Sequence, residues 1–152
     1  MRIFLDTEFI EDGKTIDIIS IGMVREDGLT LYRENGDCDL FLASDWVREH
    51  VFPHLSGNRS GRDEIRNAVV EFVGDQPEFW TYFGAYDWVA LCQLFGKMVD
   101  LPTGWPFLAY DLRQWLDVTG NRHVRQPDDA PHHALLDALW IADTVKKHGP
   151  FV

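Results

Sequence analysis

The chain has 152 residues, 45% of them hydrophobic and 13% aromatic, with a formal charge of -11. That length suits a single domain over residues 1–152 with one sizeable core, and no apolar run of about 18 residues is present to span a bilayer. The acidic balance argues against an extended basic footprint for nucleic acid, but carboxylates gathered around divalent metals would carry the same charge.

Residues 2–9 read as a strand, residues 17–24 ("DIISIGMV") as a second after the turn at Glu11-Asp12-Gly13-Lys14, and residues 29–33 as a third after Asp27-Gly28. Short glycine-containing turns between them predict an antiparallel meander. Ser44-Asp45 opens a short helix around Trp46, Val47 and Val51 that should end near Pro53. Ser60 with Asp63 resembles a capping box for a helix carrying Ile65, Val69, Phe72 and Val73 at helical spacing.

Residues 79–86 are aromatic and read as a strand, after which Asp87 opens "DWVALCQLFG", a helix apolar on nearly all sides that stops at Gly96. A further strand is expected over 107–110, and Asp111 with Gln114 caps "LRQWLDVTG". The loop 120–131 holds Arg122, His123 and Arg125, and residues 134–147 form the last helix, with Gly149-Pro150 beyond. Strands first and helices alternating later predict one mixed α/β sheet flanked by helices. The N-terminus has no apolar leader, and Cys38 and Cys92 are too few for a disulfide scaffold, so a reducing, cytoplasmic setting is expected.

Two features resist a purely structural reading. In "FLDTEF" the side chains of Asp6 and Glu8 share one face of a strand, with Cα atoms about 7 Å apart. In a core that pair costs several kcal/mol unless a cation, a proton or water compensates. Asp137, on the last helix among Ala134, Trp140 and Ile141, is not on a solvated stripe either. His132, just after Pro131, can aim an imidazole toward the space that Asp137 faces, and imidazole is the side chain most often used as a general base near neutral pH.

Taken singly, Asp87 is more often an N-cap than a ligand, and an Asp-x-Glu strand pair is often only a wet face. His50 and His54 have helical ligand spacing, but Pro53 lies between them and no third ligand is evident. Taken together, Asp6, Glu8, Asp87 and Asp137 each fall at the end of an element that a mixed sheet can bring to one place. Four carboxylates and no thiolate suit two Mg²⁺ or Mn²⁺ ions and phosphodiester hydrolysis.

The ordered set "DTEF", "GAYDWVALCQLFG" and "HHALLDA" resembles the three motifs of the DEDDh 3'-to-5' exonucleases, a family of the ribonuclease H-like fold, and the likeness spans nearly the whole chain. The resemblance implies that Asp6, Glu8, Asp87 and Asp137 hold two divalent metals. It also implies that the general base lies five residues before the last aspartate, which selects His132 over His133. The combination looks most like the compact mycobacterial-type exoribonucleases, which implies RNA with a free 3' end as substrate and a homodimer.

Phe9 and Phe83 depart from residues common in the family, Thr and Asn respectively, which touches substrate contacts rather than the acidic set. Phe9 and Tyr86 are candidate platforms for a nucleobase, and Thr7, facing away from Asp6 and Glu8, would reach substrate through its backbone. Arg122 and Arg125 are candidate phosphate contacts in a loop that reads equally well as solvated. The competing functions are a DNA 3'-to-5' exonuclease and a noncatalytic RNA-binding domain of the same fold.

Overall fold

The computed structural model describes residues 1–150. The meander forms as the turns predict: β1 (Arg2–Glu11), β2 (Ile16–Arg25) and β3 (Thr30–Asn35) pair antiparallel, each longer than its apolar run. The first turn closes because the Asp12 carboxylate accepts the backbone N–H groups of Lys14 and Thr15. The sheet continues with β4 (Arg59–Ser60), β5 (Glu78–Thr81) and β6 (Tyr110–Asp111) in the order β4-β3-β2-β1-β5-β6. β4, β5 and β6 run parallel to β3, β1 and β5 respectively.

The helices are α1 (Asp45–His50), α2 (Arg62–Val73), α3 (Ala85–Phe95), α4 (Leu112–Val118) and α5 (Ala134–His148). Ile3 and Leu5 of β1 pack with Ile65 and Val69 of α2 and Leu91 of α3. Phe4 packs with Leu116 of α4 and Ile141 of α5 on the opposite face. Alternation along β1 therefore sends Asp6 and Glu8 toward α5 and Thr7 toward α3.

The larger departures from the sequence reading fall at α2, at the passage from β5 into α3, and at β6. The cap of α2 is Gly61, not Ser60: the Glu64 carboxylate accepts the Gly61 N–H, and Asp37, from the β3 side, accepts the Arg62 N–H in place of the missing cap side chain. The aromatic run from Phe79 stops being a strand after Thr81, because Phe83 takes φ +53° and turns the chain into α3. Asp87 is consequently the third residue of α3 rather than its N-cap, which is Gly84. The strand expected over 107–110 shrinks to Tyr110–Asp111, where Asp111 leaves the sheet to cap α4 by accepting the Arg113 and Gln114 N–H groups. α1 ends at His50, and Pro53 sits within a following 3₁₀ turn (Phe52–His54).

Gly22 of β2, paired with Asp6, decides how closely α5 approaches the sheet. A Cβ there would lie 2.3 Å from the backbone of Ala134 and Leu135. Gly22→Ala is therefore expected to destabilise the fold by about 1–3 kcal/mol. A lowered thermal midpoint, with Asp137 displaced and activity falling alongside, is the measurable result; an unchanged midpoint would mean that α5 docks elsewhere.

Candidate functional site

Asp6 and Glu8 leave β1 on the α5 face, and Asp137 meets them from the first turn of α5. One carboxylate oxygen of each lies within 4.8 Å of the others. Beyond Glu8 the β1–β2 register shifts by one residue, an irregularity of the kind that re-aims side chains at strand ends. Asp137 is buried, its backbone N–H donates to His133 O, and one of its oxygens accepts the Gln126 side-chain amide from the preceding loop.

Asp87 stands outside this three-carboxylate group but beside it. It comes from the α3 side, 6% exposed, and its Oδ1 accepts both the Thr7 N–H at 2.9 Å and the Thr7 hydroxyl at 2.5 Å. Thr7 thus has both donors committed to Asp87. Asp111 steadies the start of α3, since its Oδ2 accepts the Gly84 N–H at 3.1 Å.

Carboxylates this close and this poorly hydrated resist ionisation. Burial, then Asp87, Asp137 and Glu8, hold Asp6 well above the usual carboxylate range. Burial, then Asp137 and Asp87, push Glu8 from 4.5 up to about 8. Asp87 rises to about 6 by burial, against the opposing Thr7 hydrogen bonds. Asp137 is also raised by burial, with Gln126, the His133 backbone and the nearby His132 and His133 working the other way. All four groups are hard oxygen donors, and their mutual repulsion is offset at Asp137 by the neighbouring His132 and His133. That is the donor set that Mg²⁺ or Mn²⁺ takes, and it fits such an ion chemically.

The two adjacent histidines have different surroundings. His133 caps α5, its Nδ1 accepting the Leu135 N–H at 3.2 Å, and its ring stacks on Tyr32 with centroids 4.4 Å apart. His132 is exposed, and among the described residues no protein group hydrogen-bonds either ring nitrogen; its ring meets Trp46 edge-on at 4.8 Å. The candidate base named by the motif is therefore the histidine left free.

Trp46 and His50, one helical turn apart on α1, stack at 4.6 Å, and sequence reasoning passed over this pair as a site feature. The usable signal was an i, i+4 aromatic pair on a short helix whose Trp is half exposed. Between α1 and β1 lies a groove of about 400 Å³ lined by Glu8, Phe9, Trp46 and Val47 among others. Phe9 packs on Tyr86 with ring centroids 5.8 Å apart, and Tyr86 is half exposed.

Residues 1–148 match the family described as the 3'-5' exoribonuclease Rv2179c-like domain. The chain is 46% identical over 147 residues to the 3'-5' exoribonuclease Rv2179c of Mycobacterium tuberculosis (strain ATCC 25618 / H37Rv). It is equally similar to the 3'-5' exoribonuclease MT2234.1 of strain CDC 1551 / Oshkosh, each alignment covering 91% of this chain and 87% of the relative. Among solved structures, Exonuclease I in its apo form superposes with a TM-score of 0.66 at 13% identity, covering 98% of this chain and 42% of that longer one. At that identity the likeness is one of fold alone, a mixed sheet flanked by helices.

Proposed function

This chain belongs to the 3'-5' exoribonuclease Rv2179c-like domain family, and from that premise we propose that it is a metal-dependent 3'-to-5' exoribonuclease acting on RNA with a free 3' end. The observation that carries the mechanism is the convergence of Asp6, Glu8 and Asp137 within 4.8 Å, with Asp87 held beside them by Thr7.

Asp6, Glu8, Asp87 and Asp137 would hold two Mg²⁺ or Mn²⁺ ions. When bound, such ions lower the pKa of water and stabilise charge on the attacking and leaving oxygens of an in-line displacement. The protein's own groups do the rest. His132, with both nitrogens free, takes the proton from the attacking water at its imidazole. Thr7 positions Asp87 through two hydrogen bonds and leaves substrate contact to its neighbours. Phe9 and Trp46 frame the groove that receives the 3'-terminal base, with Tyr86 supporting Phe9 from behind and Trp46 setting the orientation of His132.

Digestion of one 5'-labelled sequence, as RNA and as DNA, with Mn²⁺ or Mg²⁺ and with chelator, tests the reading. A metal-dependent ladder shrinking from the 3' end on RNA is expected; a faster ladder on DNA would move the assignment to a DNA exonuclease, and tight binding without turnover to a binding domain. His132→Ala is expected to lower kcat by about 10²–10⁴-fold with Mn²⁺ binding retained. Wild-type rates in that variant would remove His132 as the base.

A single catalytic domain, a homodimer and a cytoplasmic setting complete the proposal. The family resemblance supports the dimer, which light scattering would test, and the two buried free cysteines accord with a reducing compartment. Among the described residues no helix is long and apolar enough to cross a membrane.

A further inference from the structure

Next to the acidic site, a groove of about 320 Å³ is lined by Tyr82, Phe83, Arg113, Asp117, Arg122 and Arg125. It is tied to the candidate site twice. Gln126, the neighbour of Arg125, donates its amide to Asp137. Tyr82 and Phe83 leave the end of β5, which lies parallel to the strand carrying Asp6 and Glu8.

Three properties of this groove lack a structural explanation. Phe83 is 68% exposed at φ +53°, a left-handed backbone that a bulky residue adopts only under strain, and the fold gains no core packing from the ring. Among the described residues its one aromatic neighbour is Tyr82, edge-on at 4.8 Å, so one ring face is open. Arg122 and Arg125 are exposed, and among the described residues they are the arginines that make neither an ion pair nor a hydrogen bond; Arg66 pairs with Asp63, for example, and Arg48 and Arg59 bind backbone carbonyls. Arg113, by contrast, is committed to Val124 O and Asp117 and serves as a wall.

In a chain of charge -11, two free guanidinium groups beside an open aromatic face, adjoining a phosphodiester-cleaving site, match the repeating chemistry of a nucleic-acid strand. We propose that Phe83, Arg122 and Arg125 form an upstream subsite for single-stranded RNA, in which Phe83 stacks an unpaired base and the two arginines hold phosphates on the 5' side of the scissile bond. The inference rests on the exoribonuclease reading and extends it. The trimmed strand is gripped behind the cut by the loop that also contacts Asp137, so the enzyme favours substrates long enough to reach this groove.

The test measures binding of a 5'-labelled single-stranded oligoribonucleotide in chelator, where no hydrolysis occurs, as a function of salt. Removing both arginines (Arg122→Ala with Arg125→Ala) is expected to reduce the slope of log affinity against log salt by about 1.4, at roughly 0.7 per lost phosphate contact. Phe83→Asn, which suits the left-handed backbone, is expected to weaken binding roughly fivefold to a hundredfold with the slope unchanged. Hydrolysis of the p-nitrophenyl ester of uridine 5'-monophosphate, which has no upstream nucleotide, should stay at the wild-type rate in all variants, as should their melting temperatures. An unchanged slope in the double variant, or equal losses on the ester and on RNA, would overturn the subsite. If the double variant loses slope as expected yet the wild-type protein leaves RNA intact with Mg²⁺ and Mn²⁺, the catalytic reading fails while the subsite stands.

Discussion

Asp6→Asn is expected to reduce metal-dependent hydrolysis of 5'-labelled RNA by roughly a thousandfold or more, the kinetic equivalent of the several kcal/mol that bound metal ions contribute to charge stabilisation. Asp137→Asn should match it, because Asp6, Glu8 and Asp137 converge within 4.8 Å and neutralising any one leaves a hard cation short of an anionic donor. Both substitutions are nearly isosteric, so the fold should persist and the loss should appear as weakened Mn²⁺ binding in calorimetry. Asp87→Asn discriminates further. Its carboxylate lies beside the trio and is anchored by Thr7, so affinity for one of two ions should fall while the other is retained. Full activity in Asp6→Asn with Mn²⁺ at saturation would remove the acidic cluster from the chemistry.

The sequence was legible wherever chemistry and local geometry coincide. The alternation in "FLDTEF" put Asp6 and Glu8 on one face because strand geometry leaves no alternative, and Asp137 stood out because the last helix buries its neighbours. The meander followed from turn residues, and Asp111 caps α4 as its position implied. What could not be read depends on tertiary approach. Asp87 looked like a cap because the turn at Phe83 was invisible; with φ +53° at a phenylalanine, propensity points the wrong way, and the strand was extended through residues that begin α3. Periodicity could not foresee that Thr7 would engage Asp87 from the opposite face, that Gln126 would reach Asp137, or that His133 would be occupied by Tyr32 and Leu135 and leave His132 free. The α2 cap was misplaced by one residue because Asp37, 25 positions before Arg62, does the capping that a local side chain ordinarily would.

Glu8→Gln is expected to make the metal-free protein more stable while destroying its activity. Burial and the negative neighbours Asp137 and Asp87 raise Glu8 from 4.5 to about 8. Because the folded-state value lies above the unfolded one, the folded protein holds the extra proton across that window, and stability falls as pH rises from about 4.5 through about 8. Above it the carboxylate is charged beside other carboxylates, at a cost of a few kcal/mol. A neutral glutamine avoids that cost, so in chelator near the top of the window the variant should melt roughly 5–10 °C above the wild type. Below the window the difference should vanish, since Glu8 is then protonated in both states. Divalent metal reverses the order. Saturating Mn²⁺ should raise the wild-type midpoint, most at high pH where the ligands are deprotonated, and raise that of Glu8→Gln much less. Coincident melting profiles for the two proteins across pH, with and without Mn²⁺, would mean that Glu8 is neither strained by its neighbours nor part of a cation site. The predicted profile instead makes the acidic face of β1 a region where the fold gives up stability so that a metal can be bound.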